Sequence, residues 1–376
     1  MKKKVVIIGA NDFQNPLILK AKELGYETHV FAWKDGSIGE KTADFFYPIS
    51  IVEKEEILEK CREIKPDAIL TIASDLATIT VNYVASKLGL TCNSLECTEI
   101  STNKFKMRQA FKKANIPVPK FEIVDENTNL DILNGMEYPL IVKPTDRSGS
   151  RAINKILKKE ELSDAIKLAV ENSFEKKAIV EEYIDGDEFS AESISFHGKH
   201  NFLTVTRKQT TGYPHFIETG HIEPAGLSEE IIEKIKNAIL PALDSLKIEN
   251  GASHAEFKIT QNGDIRIIEI GARMGGDCIG SDLVKISTGY DYVKMVIDVA
   301  LGKEPVLEKV SVPKIAVIKF IFNKEDLDEL EKIKKEKPEK IHFVSEIKDF
   351  GGHKIVDSSS RYGYYILALD SIDEIW

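Results

Sequence analysis

Disulfide chemistry has almost no material in this chain. Its 376 residues hold four cysteines (Cys61, Cys92, Cys97 and Cys278), none in a CxxC pair, so reduced thiols in the cytoplasm are expected. A basic excess is missing too. Lys and Arg number 51 against 61 Asp and Glu, a net charge of −10, which argues against a nucleic acid or an anionic membrane surface as partner. A local basic pocket for a small anion stays compatible with that balance. No apolar run approaches the length that crosses a bilayer, and the one after the basic tip of "MKKKVVIIGAND" is too short for a secretory signal. Internal repeats and low-complexity tracts are also lacking. What remains is a composition of 42% hydrophobic and 30% charged residues, suited to a soluble globular protein of two or three domains with a large core.

The grammar of the chain changes twice. Up to about residue 95, strand-like runs ("KVVIIG", "ETHVFAW", "DAILTIA") alternate with helical ones ("LILKAKELGY", "VEKEEILEKCREIK", "SDLATITVNYVASKLGL"), which predicts a parallel α/β unit. Ser74 or Asp75 caps the last of these helices. Gly9 supplies one glycine of a dinucleotide fingerprint, but Asn11 and Gln14 stand where the others belong, so a Rossmann-like scaffold without nicotinamide is expected. "STNKFKMRQAFKKANIPVP" reads as a helix capped by Ser101 or Thr102, with Met107, Ala110, Phe111 and Ala114 as its buried stripe. The chain then becomes strand-rich. A second boundary falls near "LGKEPV", and the tail from 306 to 376 offers two apolar strands around a charged helix, "KEDLDELEKIKKEK".

"GASHAEFKITQNGDIRIIEIGARMGG" carries the chemistry. Asn262-Gly263 between alternating strands predicts a two-residue hairpin turn, in which Glu256 faces Glu269, His254 faces Gly271 and Lys258 faces Ile267. Ile265, Ile267 and Glu269 then share one face of the strand. Opposed like charges destabilise a sheet, and a hard divalent cation relieves them. Two alternatives compete: both glutamates lie in water and Lys258 neutralises them, or a three-residue turn shifts the register and dissolves the pair. Arg273 follows the strand's end, and with a metal it suits a phosphoryl group in transfer.

Three further stretches favour an anionic nucleotide. "YPLIVKPTDRSGSRAI" has Lys143 at a strand end and an amide-rich loop that can form an anion nest, although a plain surface hairpin fits as well. Lys104 sits in a first helical turn, where the dipole disfavours a cation without a negative neighbour. In "AIVEEYIDGDEFSAE", backbone groups of Glu182 and Ile184 suit an adenine edge and Glu188 suits ribose hydroxyls; a charged edge strand is the plainer reading.

In this order and spacing, the stretches "NKFKMRQAFKKANIPVP", "IVKPTDRSGSRAI", "IVEEYIDGDEFS" and "HAEFK…IEIGARMGG" resemble the ATP-grasp superfamily of carboxylate–amine ligases over nearly the whole chain. The "EIGAR" form is similar to the branch of amino-acid ligases and carnosine-synthase-like enzymes. The chain is also similar to phosphoribosylglycinamide synthetase and to carbamoyl-phosphate-synthase-like proteins. The resemblance implies a mixed α/β and α+β fold: a Rossmann-like preceding domain (1–95), an ATP-grasp domain (96–305) with a mobile lid at about 115–185, and a small C-terminal α+β domain (306–376). It implies ATP and Mg²⁺, with Mn²⁺ as an alternative metal. Lys104 and Lys143 would contact the phosphates, and Ser148, Gly149 and Ser150 would close over them. Glu181, Glu182 and Ile184 would hold adenine, and Glu188 the ribose. Glu256 and Glu269 would bind the metal, and Arg273 with Lys143 would act in catalysis. Glu218, His221 and His254 become candidates on the substrate side. Many members carry asparagine where this chain has Gly271, which leaves a second metal's coordination open.

The expected activity is therefore amide-bond formation between a small carboxylic acid and a small amine through an acyl phosphate, in a cytoplasmic enzyme for which the resemblance implies a homodimer. The rivals are a phosphoribosylglycinamide synthetase-type ligase and, from another class, a non-catalytic ATP-binding regulator.

Overall fold

The computed structural model describes residues 2–149, 151–213, 216–350 and 354–374. Among these residues, sixteen strands in chain order make three sheets. β1 (Lys4–Ile8), β2 (Glu27–Phe31), β3 (Phe45–Tyr47) and β4 (Ala68–Leu70) form the first. It is wholly parallel, in the order β3-β2-β1-β4, because each strand is followed by a helical crossover. Val5, Val6, Ile7 and Ile8 are all fully buried, as a strand covered on both faces requires.

β5 (Phe121–Val124), β6 (Leu140–Pro144), β7 (Asn154–Ile156) and β8 (Ala178–Glu182) form a small antiparallel sheet in the order β5-β8-β6-β7. The helix Leu162–Asn172 covers it, burying Ile166, Ala169 and Val170 against Val142 and Val180.

The remaining strands build one eight-stranded antiparallel sheet. They are β9 (Asp187–Phe196), β10 (Lys199–Thr210), β11 (Glu218–Glu223), β12 (Gly251–Ile259), β13 (Ile265–Gly271), β14 (Ile315–Ile321), β15 (Ile341–Val344) and β16 (Gly363–Leu369). Their order is β13-β12-β9-β10-β11-β14-β16-β15, so the strands of the tail continue the central sheet through the β11–β14 pairing. The helix Glu229–Ser245 buries Ile235, Ile239 and Leu243 with Phe257, Ile267 and Ile270 on one face. The helix Tyr292–Ala300 joins the first sheet to this one: Val296 and Ile297 share a core with Val5, Ile7 and Leu17 on one side and Ile194 on the other.

Two caps decide what reaches the site. Ser74 Oγ accepts from the Ala77 amide (3.2 Å), so Ser74 is the cap and Asp75, the first helical residue, is left for other work. The helix predicted to start at Ser101 or Thr102 starts at Lys104 instead. An earlier helix, Leu95–Thr102, capped by Ser94, runs through both residues, and Asn103 caps the next by accepting from the Lys106 amide (3.1 Å). That places Lys104, Met107, Arg108 and Phe111 on the buried stripe, with Ala110 half-buried and Ala114 exposed. Among the described residues, no helix is long and apolar enough to cross a membrane.

Candidate active site

The β12–β13 hairpin brings Glu256 opposite Glu269 and His254 opposite Gly271. It does so through the three-residue turn that was expected to dissolve the pair, offset by a second irregularity that was not expected. Near the turn Ile259 pairs with Ile265 and Lys258 with Arg266, and the chain reverses through Thr260–Asp264 with Gly263 at φ 77°. The turn is thus one residue longer than expected, and Lys258 does not face Ile267. An irregularity between Glu256 and Phe257 on one strand, with Ile268 as the extra residue on the other, then restores the register. A bulge of this kind re-aims side chains. Ile267 and Ile270 face the apolar core, while Ile268 and Glu269 line a cavity. The expected shared face of Ile267 and Glu269 is therefore corrected: the strand changes phase at Ile268, and so places its carboxylate without breaking its apolar face.

That cavity, of about 430 Å³, lies between the small sheet, the central sheet and the first residues of the helix Asp75–Leu88. At one end stand Lys104 and Lys143, 7% and 4% exposed. Lys104 Nζ donates to Glu269 Oε1 (2.9 Å) and to the Arg147 carbonyl (2.7 Å), which supplies the negative neighbour its helical position demands. Lys143 Nζ is bonded to Glu181, whose other oxygen takes Arg108 Nε at 2.9 Å. Burial pushes the Glu181 carboxyl up, but Arg108 and Lys143 outweigh it and hold the group at about 2. Burial lowers the Lys143 ammonium, an effect Glu181 only partly offsets. Glu181 is thus committed to two cations through its side chain, rather than free for a ligand. Ser148, Gly149, Glu182, Ile184 and Glu188 also line the cavity; Ser150 lies outside the described residues. Lys258 reaches the Tyr183 hydroxyl at 3.3 Å and does not neutralise the two glutamates.

The cation on Glu256 is Lys208, which the sequence reading missed. Its Nζ lies 2.9 Å from Glu256, 3.1 Å from Glu188 and 3.7 Å from Glu218. Burial opposes its charge, and the three carboxylates raise its pKa well above the usual lysine value. Arg273 makes a two-bonded fork to Asp75: Nε to Oδ1 at 2.8 Å and Nη2 to Oδ2 at 2.9 Å. Gly271 leaves room for that pair, since a Cβ there would stand 2.9 Å from Asp75 Oδ1 and 3.0 Å from Arg273 Nε. An asparagine at 271 would have to displace it. His254 has both ring nitrogens engaged, Nδ1 with the fully buried Glu192 and Nε2 with Glu256 at 3.2 Å. Burial works against its charge, but Glu192 and then Glu256 raise it to about 9, so it is a cation at neutral pH. His254 therefore ties carboxylates together and has no nitrogen spare for a substrate.

The far end is closed by Arg361, from the tail. Its guanidinium lies 3.5 Å from the Phe320 ring centroid and donates to both oxygens of Asp277 (2.9 and 2.6 Å) and to the Glu218 carbonyl (3.2 Å). Glu218 Oε2 accepts from Ser358 Oγ (2.6 Å). His221 Nε2 stands 3.6 Å from Asp277 Oδ2. The structure thus gathers Lys104, Lys143, Glu188, Glu218, His221, Glu256, Glu269 and Arg273 around one cavity. Asp75, Lys208, Asp277 and Arg361 complete its lining, and Arg108 and Glu192 hold Glu181 and His254 from behind; none of the six was expected at the site. Only Lys208 carried a readable signal, a lysine in phase with the inward face of a long strand.

Residues 136–282 match the ATP-grasp domain model. The alanine–anticapsin ligase of Bacillus subtilis is 29% identical over 314 residues, 73% of this chain and 65% of that protein; the chain thus spans about two thirds of that relative's length. The crystal structure of L-amino acid ligase from Bacillus licheniformis superposes with a TM-score of 0.83 at 24% identity, covering 100% of this chain and 95% of that one. That of phosphoribosylglycinamide synthetase from Anaerococcus prevotii gives 0.79 at 24% identity, covering 100% and 96%. Residues 136–282 thus match an ATP-grasp domain, within a chain whose whole fold is similar to the folds of these two enzymes.

Proposed function

We propose that the protein is an ATP-dependent ligase that joins a small carboxylic acid to a small amine. The observation that carries this is the meeting, in one cavity, of two buried lysines, two facing carboxylates and a preset arginine. In this reading Lys104 and Lys143 bind the ATP phosphates, with Glu181 and Arg108 holding Lys143 in place. Ser148 and Gly149, with Ser150, belong to the loop over the phosphates. Glu182 and Ile184 hold adenine, and Glu188 the ribose. The second sheet, within about 115–185, acts as a lid that excludes water from the activated acid, between a preceding domain at 1–95 and a tail domain at 306–376. Glu218 and His221 sit on the acceptor side.

Glu256 and Glu269 suit Mg²⁺ held by one or two carboxylates and otherwise by phosphate oxygens and water. The donor set offered is these two facing carboxylates; among the described residues no group of three or more His, Cys, Asp or Glu could hold a metal ion. Bound there, the ion would offset charge on the phosphates. Its arrival would replace the contacts that Lys104 and Lys208 now make to the two glutamates. Arg273, with Nε and one Nη2 hydrogen on Asp75 and one Nη1 hydrogen on the Met274 carbonyl, keeps one N–H on each Nη for a transferring phosphoryl group.

The test is ADP release from Mg-ATP against amino acids offered singly and in pairs, with phosphoribosylamine plus glycine as one arm and no acceptor as another. Release that depends on a particular pair establishes the ligase and names its substrates. Tight ATP binding with no release for any pair would defeat this reading in favour of a nucleotide sensor. Arg273→Lys keeps the charge but loses the fork. It is expected to lower kcat about 100-fold with little change in KM for ATP, as steady-state kinetics would show.

A further inference from the structure

Arg273 lies on a short connection, residues 271–276, between β13 and the helical turn that follows. Past Gly271, the last residue of β13, the connection carries no helix or strand, yet it is held at two points by acids from elsewhere in the fold. Asp75, from the helix beside the first sheet, takes the Arg273 fork. Glu192, in the middle of the central sheet and fully buried, accepts the Gly275 amide on Oε2 (3.0 Å) and the His254 ring on Oε1. His254 in turn reaches Glu256. One buried carboxylate thereby joins the arginine's loop to the strand bearing a metal-side glutamate. Glu192 and His254 face each other across β9 and β12, so the sheet fixes their geometry.

The glycines mark how closely the loop is held. A Cβ on Gly275 would stand 2.7 Å from Glu192 Oε1 and 2.8 Å from His254 Nδ1, and one on Gly271 would meet Asp75 and Arg273. Both glycines thus sit where the backbone presses against its clamp, and a side chain at either would have to displace it. A buried carboxyl group is costly to desolvate, so Glu192 is a polar tether in a place where a plain core would serve stability better.

We infer that Asp75 and the Glu192–His254 pair are positioning residues that preset the loop 271–276, and with it Arg273, before any ligand arrives. The inference rests on the ligase reading for its kinetic consequences but not for the clamp itself. Asp75 and Glu192 touch no reacting atom; they act through Arg273, Gly275 and His254. Supporting groups of this kind typically contribute 10- to 100-fold to activity.

Two near-isosteric variants, Asp75→Asn and Glu192→Gln, and their double test it. Expected are folded proteins by circular dichroism, kcat lowered about 10- to 100-fold in each single variant, and KM for ATP within about twofold, the pattern of an interaction made in the transition state. Because both hold one loop, the double variant is expected to be about as impaired as the worse single one. Hydrogen exchange of peptides covering 269–278, with no nucleotide present, gives a readout independent of activity, and at least tenfold faster exchange is expected in either variant. Unchanged exchange overturns the clamp even if no substrate pair has been found. Faster exchange in a protein that releases no ADP with any pair keeps the clamp and overturns only the ligase reading. A loss confined to substrate KM, or fully additive effects in the double, would mean that these residues act elsewhere.

Discussion

Glu269→Gln is expected to reduce Mg²⁺-dependent ADP release by roughly 1,000-fold or more, because a metal's electrostatic contribution is several kcal/mol and each 1.4 kcal/mol is tenfold in rate. The substitution keeps volume and removes one charge. It is a sharp probe because Glu269 would have two partners to satisfy: Lys104 in the free protein and, in the proposed reading, Mg²⁺ in the working one. In the resting protein Lys104 keeps the Arg147 carbonyl, so folding should change little. Thermal unfolding within a few degrees of the parent, together with lost turnover that added Mg²⁺ does not restore, is the expected pair of results. Turnover near the parent's would defeat the metal assignment.

Glu181→Ala should act on stability instead. Glu181 is 4% exposed and sits between Arg108 and Lys143, themselves 1% and 4% exposed. Removing it leaves two cations buried without a counter-charge, a change that commonly costs about 3–5 kcal/mol, read as a lower denaturant midpoint. A midpoint unchanged from the parent would show that water or another acid reaches the two cations. The effect should depend on pH. The carboxyl lies at about 2 in the folded chain against an ordinary 4.5. Its contribution is therefore complete above about 4.5 and is lost as the pH falls from there through about 2. The gap between parent and variant should narrow over that window, with the parent losing stability and the variant lacking that loss.

The alternation of strand and helix in the first ninety residues was legible because buried parallel strands read as unbroken apolar runs, as "VVII" does. The facing glutamates were legible only by a coincidence of offsets. The turn is one residue longer than Asn262-Gly263 suggests and Ile268 is one residue too many, so the register near Glu256 came out the same. The doubled isoleucine 267–268 was the visible trace of that phase change, since a strictly alternating strand has no use for two in a row. What stayed hidden are the partners that no local pattern announces. Asp75 and Arg273 are 198 residues apart, and Glu192 and His254 are 62 apart; only the packing of separate units brings them together. Asp75 was moreover masked by a plausible local role, which Ser74 performs instead.

The pairing of β11 with β14 has a consequence for how the chain can be divided. The tail contributes Arg361 to the cavity, but it also completes the sheet: Gly220, His221, Ile222 and Glu223 pair with Lys319, Ile318, Val317 and Ala316. Cutting the chain near residue 306 would bare the β11 edge, with unpaired amides and carbonyls at His221, which lines the cavity. An open edge of this kind recruits other strands. The segment that looks most like a detachable appendage is thus the sheet's protection against self-association, and a shortened protein would lose solubility before its chemistry could be measured.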